Sequence, residues 1–132
     1  MEITYKTDVV PSPEQVIEVY DSAKLPRPTH DAARIGKIYQ NSNLIVSAWD
    51  GEKLVGVSRS ITDWAWSCYL ADLAIHADYQ KLGIGKKLID ITKEQVGEQT
   101  TILLLSVPTA MEYYPKLGFT KEDRGFTILR TR

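Results

Sequence analysis

One stretch of the sequence, residues 69–96, limits most strongly what this chain can fold into. It begins with an apolar run, Tyr69-Leu-Ala-Asp-Leu-Ala-Ile75, which predicts a buried strand. Two glycines follow in Gly83-Ile-Gly85, and the residues after them have the apolar spacing of a helix. The first backbone N–H groups of a helix have no internal partner, and the helix dipole adds partial positive charge there. The stretch therefore predicts an anion site, for a phosphate group, between a strand and a helix.

The two glycines alone do not identify the phosphate ligand. The dinucleotide-binding fingerprint requires a third glycine where this chain has Leu88, and the P-loop pattern is absent. Taken alone, Gly83-Ile-Gly85 also suits a tight loop before a core helix that binds nothing.

The composition argues against several classes of protein. The 132 residues suffice for one domain with a core, predicted to span 1–132. A formal net charge of −1 gives no general attraction for nucleic acid or a membrane surface. The single cysteine, Cys68, cannot form an internal disulfide, which fits a cytoplasmic location. Two histidines and one cysteine do not support a metal site of common spacing. The N-terminus lacks a signal-peptide core, and no apolar run nears the roughly 20 residues of a membrane helix.

Periodicity predicts an α+β chain in the order β-α-α-β-β-β-α-β-α-β, with a possible extra final strand. Ser12 is expected to cap the first helix, and Thr29 or Asp31 the second. The predicted strands cover residues 2–6, 44–49, 53–61, 66–75, 101–106 and 126–130, with another beginning at Phe119. The strand at 101–106 is expected to be fully buried and parallel to 66–75, because a helix connects the two. A last helix is predicted from Pro108, shortened or kinked by Pro115.

The string Gln80-Lys-Leu-Gly83-Ile-Gly85, after a strand and opening a helix, resembles the acetyl-CoA motif of the GCN5-related N-acetyltransferases (GNAT). A second piece, with Tyr114 four residues before Gly118-Phe119, resembles the late helix of that family. The predicted element order agrees with the family's order over nearly the whole chain. The resemblance implies an α+β fold with a mixed, mostly antiparallel central sheet and helices on both faces.

The resemblance further implies transfer of an acetyl group from acetyl-CoA to a primary amine by direct attack in a ternary complex. In relatives, the strand before the glycine turn pairs with the pantetheine, and the turn holds the pyrophosphate. By position, the strand contacts are Leu73, Ala74 and Ile75, and the turn contacts are Gln80, Lys81, Leu82, Gly83, Ile84, Gly85 and Lys86. The acceptor, a small-molecule or a protein amine, stays open, and a homodimer is possible because relatives are often dimers. The alternative is a non-catalytic acyl-CoA-binding or interaction module of the same fold.

Three residues are candidates for proton transfer. Tyr114 occupies the position of the general acid that protonates the departing thiolate in many relatives. Asp72 interrupts an apolar strand and is the candidate base, because burial would raise the pKa of its carboxyl. An Asp72 paired with an arginine or lysine is the alternative. His76 is the rival base, although it lies at the phosphate end. The Glu that some relatives carry on the strand at 101–106 is absent.

The predicted acceptor walls are the loop at 25–30 and the connection at 62–66. Aromatic rings and a carboxylate would suit an amine on an apolar body. The candidate residues are Tyr39, Asp63, Trp64 and Trp66. The alternative is that these aromatic residues close the core or form a dimer interface.

Overall fold

A computed structural model describes residues 2–132 and contains one five-stranded sheet flanked by three α-helices. The strands are β1 (Thr4–Lys6), β2 (Leu44–Asp50), β3 (Lys53–Thr62), β4 (Ser67–Ile75) and β5 (Thr101–Leu103). The helices are α1 (Pro13–Ala23), α2 (Ala32–Gln40) and α3 (Ile84–Val96). The strands lie in the order β1-β2-β3-β4-β5, antiparallel except for the parallel pair β4 and β5. The predicted mixed, mostly antiparallel sheet is confirmed.

The helices cover both faces of the sheet, as predicted. On one face, α1 and α2 bury Val16, Tyr20 and Ile35 against the sheet residue Val57. On the other face, α3 buries Ile84 and Leu88. Among residues 2–132, no helix combines the length and the apolar character required to cross a membrane.

Local side-chain contacts fix where the first two helices begin. The Ser12 hydroxyl accepts a hydrogen bond from the Gln15 N–H at 3.2 Å, and the Gln15 side chain accepts one from the Ser12 N–H at 2.9 Å. This capping box satisfies two N–H groups at the start of α1, as the sequence predicts. Asp31, one of the two predicted caps, begins α2 by accepting from the Arg34 N–H at 3.0 Å.

A bulge in β4 shifts the register of its pairing with β3. Arg59 of β3 pairs with Asp72, whereas the next residue, Ser60, pairs with Leu70. Ala71 is therefore an extra residue in β4, which bends the strand and interrupts the pairing at this point.

The strands β4 and β5 pair over three residues and then diverge. Ser67–Tyr69 pairs with Thr101–Leu103, and no further pairs follow within the described residues. The predicted fully buried strand at 101–106 is wrong in extent and burial: Leu103 is 46% exposed and Leu105 is 57% exposed. Beyond Tyr69, the β5-facing edge of β4 is consequently left without a strand partner.

The predicted late helix is also wrong. The chain forms two short 3-10 turns, Pro108–Ala110 and Tyr114–Leu117, in place of one α-helix. Proline lacks an N–H, so Pro115 cannot donate the hydrogen bond to the carbonyl four residues earlier that a continuous α-helix through this segment requires.

The predicted final strands are likewise not formed. Residues 119–132 contain no strand, and Phe126 and Ile128 are fully exposed. Residues that favour strands do so by packing on a pleated surface. In this structure the segment has no neighbouring strand on which to pack.

Candidate active site

A cavity of about 820 Å³ opens where β4 and β5 diverge. It is bounded by β4, the first turn of α3, the end of α1 and the 3-10 turns. The predicted cofactor residues that line it are Leu73, Ala74, Ile75, Gln80, Lys81, Gly83, Ile84, Gly85 and Lys86. Leu82 does not line the cavity, and its side chain is 55% exposed. The cavity thus unites a strand edge, a glycine turn and the candidate acid Tyr114.

The β4 backbone offers hydrogen-bonding groups to this cavity at alternate residues. His76 N–H donates to the Val55 carbonyl of β3 at 2.8 Å. In an antiparallel ladder, successive residues face opposite neighbours. The N–H and C=O groups of Leu73 and Ile75 therefore point toward the open edge, while those of Ala74 point toward β3. Two of the three predicted strand residues expose backbone groups to the cavity.

The glycine turn leaves the start of α3 uncapped by any side chain. Gly83 is the N-cap, with a φ of +80°, and no side chain bonds to the first turn. The Gln80 side chain donates to the Ile75 carbonyl at 3.0 Å, which ties the turn to the end of β4. The first N–H groups of α3 have no partner within the helix, so this end of the cavity is suited to an anion.

Gly85 is held in place by close packing with a tyrosine. A Cβ at this position would overlap the Tyr113 hydroxyl. A larger residue would therefore require the Tyr113 side chain to shift. The absence of a side chain at Gly85 allows the Tyr113 hydroxyl to pack directly on the first turn of α3.

Tyr114 lines the same cavity from the second 3-10 turn. Its ring packs against the rings of Tyr113 and Phe119, with centroids 5.3 and 5.6 Å away. Burial raises the pKa of the Tyr114 hydroxyl above its usual value, and the neighbouring Tyr113 adds to the shift. The hydroxyl is therefore protonated at neutral pH and able to donate a proton or a hydrogen bond.

Asp72 is fully engaged in a buried ion-pair network. One carboxylate oxygen accepts from Arg27 Nε at 2.6 Å, and the other accepts from Arg59 Nε at 2.6 Å and from the Tyr20 hydroxyl at 2.7 Å. Burial by itself would raise the pKa of this carboxyl, but the Arg59 and Arg27 contacts outweigh it and lower the pKa. The expected upward shift is wrong, and the ion-paired alternative describes Asp72.

Neither candidate base lines the cavity. Asp72 is 2% exposed and faces α1, and His76 Nδ1 accepts from the Asp78 N–H at 3.2 Å. Within residues 2–132, no aspartate, glutamate or histidine belongs to the cavity wall. These contacts disfavour a direct base role for Asp72 and for His76.

The four predicted acceptor residues lie outside the cavity. Tyr39 is buried, and its hydroxyl meets that of Tyr20 at 2.5 Å. The Asp63 carboxylate accepts from three backbone N–H groups of its own turn, which lowers its pKa. Trp64 and Trp66 are 47% and 75% exposed. Of the predicted walls, only the loop after α1 contributes, through Leu25 and Arg27.

Sequence reasoning missed Arg27, Arg59 and Tyr20 as partners of Asp72. A signal for Arg27 was present, because an arginine between Pro26 and Pro28 lies in a stiff loop predicted to border the site. The register that brings Arg59 opposite Asp72 depends on the bulge at Ala71, which no local pattern marks.

Comparison with known proteins identifies the family. The acetyltransferase (GNAT) domain family matches residues 10–127. The chain belongs to the GNAT acetyltransferase family. Among curated GNAT relatives, it is 36% identical to "uncharacterized N-acetyltransferase ycf52" of Pyropia yezoensis, over 65% of this chain and 53% of that protein. The chain spans about half the length of the curated relatives it matches.

Solved structures share the GNAT fold. A probable acetyltransferase of unknown function from methicillin-resistant Staphylococcus aureus superposes with a TM-score of 0.84 at 19% identity, covering 98% of this chain and 99% of that one. A GNAT family acetyltransferase from Streptococcus pneumoniae superposes with a TM-score of 0.81 at 22% identity, covering 99% and 100% of the two chains. At this level of identity the likeness establishes the fold.

Proposed function

We propose that this GNAT protein transfers an acetyl group from acetyl-CoA to a primary amine by direct attack in a ternary complex. The observation that carries the proposal is one cavity bounded by the open β4 edge, the uncapped start of α3 and Tyr114. These three parts supply the contacts that an extended pantetheine arm, a pyrophosphate and a thiolate leaving group each require.

The cavity wall fits the cofactor chemically along its length. The amide groups of a pantetheine arm match the N–H and C=O groups of Leu73 and the N–H of Ile75 at the open edge, while the Ile75 carbonyl accepts from Gln80. The pyrophosphate suits the N–H groups at the start of α3, with the charges of Lys81 and Lys86 beside them. Gly83 presents no side chain, and a Cβ there would extend into open space.

The reaction needs a neutral amine and a stabilised leaving group. The amine nitrogen attacks the thioester carbonyl carbon, a C–N bond forms and the C–S bond breaks. Tyr114 donates its proton to the departing thiolate, and the proton that the nitrogen loses after attack returns to the tyrosine through water. Because no acidic or histidine side chain lines the cavity within residues 2–132, water also takes the proton that the acceptor ammonium loses before attack. The rate should therefore rise with pH as the acceptor amine becomes neutral.

A thiol-release assay with acetyl-CoA and a panel of primary amines tests this function. We expect amine-dependent release of CoA thiol in the wild type and none in Gly83→Glu. If the protein binds acetyl-CoA but releases no thiol with any amine, the non-catalytic acyl-CoA-binding module replaces the enzyme. If it binds no acetyl-CoA, both functions are excluded.

We further propose that the protein is cytoplasmic and forms a homodimer. The single cysteine, Cys68, is buried and cannot form an internal disulfide, so the fold does not depend on an oxidising compartment. Light scattering on the purified protein measures the oligomeric state directly, and a monomer mass would exclude the dimer.

A further inference from the structure

The charged side chains that line the cavity are all cationic. They are Lys24, Arg27, Lys81 and Lys86. Within residues 2–132, no carboxylate lines the wall to hold an ammonium group. Lys81 and Lys86 border the glycine turn, where the proposed pyrophosphate neutralises them. An acceptor that enters the rest of the cavity therefore meets positive charge without a compensating acid.

Arg27 provides this charge at the opposite end of the exposed β4 edge. Its Nη2 donates to the carbonyl of the bulge residue Ala71 at 3.0 Å, and its Nη1 donates to the Pro26 carbonyl at 2.7 Å. With the Nε bond to Asp72, three of the five N–H groups of a guanidinium are used, which leaves two. The Arg27 side chain lines the cavity and is 26% exposed.

The network around Arg27 carries an excess of one positive charge. It contains two guanidinium groups and one carboxylate, since Asp72 also neutralises Arg59. A nearby cation lowers the pKa of an amine and so favours its neutral, nucleophilic form. The same charge repels an acceptor with several ammonium groups and attracts one with a carboxylate.

We propose that the acceptor is a primary amine that carries a carboxylate, and that Arg27 binds the carboxylate at the bulge end of the cavity. The proposal rests on the acetyl-transfer function and names its substrate class. Arg27 is fixed by its bonds to Asp72, Ala71 and Pro26, so its remaining donors are oriented before the acceptor arrives. Amino-acid-like acceptors are then preferred over simple amines and polyamines.

Acceptors that differ only by a carboxylate test this preference. Phenylalanine is compared with phenethylamine, and spermidine represents the polyamines, all with saturating acetyl-CoA in the thiol-release assay. We expect kcat/KM for phenylalanine to exceed that for phenethylamine by about tenfold or more, as a charge-assisted hydrogen bond allows. Equal or faster acetylation of phenethylamine or spermidine would overturn the proposal.

Variants of Arg27 test whether this side chain causes the preference for the acceptor with a carboxylate. In Arg27→Gln, we expect the advantage of phenylalanine to disappear, mainly through a higher KM, and Arg27→Lys to restore part of it. Arg34→Gln, which replaces an exposed arginine of α2 outside the cavity, should keep the preference. If Arg27→Gln still prefers phenylalanine over phenethylamine, another group binds the carboxylate and the assignment to Arg27 is wrong.

A binding measurement separates this proposal from the failure of the reaction itself. If no amine elicits thiol release, the acetyl-transfer function is wrong. Calorimetry with the CoA-loaded protein then compares N-acetylphenylalanine with N-acetylphenethylamine. Tighter binding of the carboxylate compound by the wild type, lost in Arg27→Gln, would support a carboxylate site. Equal affinity, or no binding of either compound, would overturn it.

Discussion

Single residues in the cavity wall have separable roles. Gly83 combines a positive φ with an open face toward the cavity, whereas Tyr114 adds a hydroxyl that stays protonated because it is buried. Asp72 holds two arginines and a tyrosine in place and is almost completely buried. Substitutions at these three positions should therefore affect binding, turnover and stability, respectively.

Replacement of Gly83 should remove cofactor binding. A glutamate at this position adds bulk and negative charge where the proposed pyrophosphate lies, so we expect affinity for acetyl-CoA to fall at least about 100-fold. Isothermal calorimetry measures this affinity. Gly51→Glu is the matched control, because Gly51 also has a positive φ, of 59°, but lies in the β2–β3 hairpin. Wild-type affinity in Gly83→Glu would contradict the site.

Removal of the Tyr114 hydroxyl should slow the reaction. We expect Tyr114→Phe to lower kcat by about 100-fold, in the range of general acid catalysis, with affinity for acetyl-CoA nearly unchanged. Steady-state kinetics and calorimetry separate the two effects. The control, Tyr69→Phe, alters a partly exposed tyrosine of β4 outside the cavity. A Tyr114→Phe enzyme with wild-type turnover would exclude Tyr114 as the acid.

Loss of the Asp72 charge should destabilise the fold at neutral pH. Asp72→Asn leaves two arginines without their carboxylate, and breaking a buried pair of this kind costs about 3–5 kcal/mol of unfolding free energy. The pKa of Asp72 is lower in the folded than in the unfolded state. The stability that its carboxylate contributes is therefore complete above the unfolded-state pKa of about 4, and it is lost as the pH falls through the folded-state pKa.

Urea unfolding at pH 7 and at pH 3 measures this difference. The difference in unfolding free energy between the wild type and Asp72→Asn should be smaller at pH 3 than at pH 7. Asp90→Asn, which breaks an exposed pair with Lys86 at 2.8 Å, should cost less than about 1 kcal/mol and serves as control. An equal gap at both pH values would exclude Asp72 as the titrating group.

At the scale of elements, the sequence predicted those parts of the fold that local signals encode. The capping box at Ser12 and the turn at Gly83 correctly located the starts of α1 and α3. The late segment was mispredicted because its apolar spacing suited a helix while Pro115 prevented one. Likewise, most of the residues that line the cavity at β4 and the glycine turn followed from a motif, but the Asp72 network did not. It depends on a bulge register and a loop conformation that form only in the folded chain.

The start of α1 provides an element-scale test. Ser12→Ala removes the acceptor of the Gln15 N–H, and loss of such a cap costs about 1 kcal/mol. We expect the thermal midpoint, followed by circular dichroism, to fall by a few degrees while affinity for acetyl-CoA is unchanged. Glu98→Ala is the control, because Glu98 is exposed and lies outside every helix and strand. An unchanged midpoint in Ser12→Ala would exclude the cap as a stabilising contact.

At the scale of the whole molecule, the two faces and the open edge of the sheet each position a different part of the candidate site. The α1–α2 face holds the Asp72 network, and α3 on the other face delivers its N-terminus to the end of β4. The divergence of β5 joins these parts in one cavity. Acetyl-CoA bound in this cavity should therefore contact two separate segments, the β4 edge and the start of α3, at once.

Backbone amide chemical shifts during an acetyl-CoA titration test this requirement most directly. In uniformly ¹⁵N-labelled protein, we predict that the amides of Leu73 and Ile75 and those of residues 84–86 shift together and saturate with one affinity. The hairpin amide of Gly51 should stay unchanged. Shifts confined to other surfaces, or no shifts at saturating acetyl-CoA, would contradict the account.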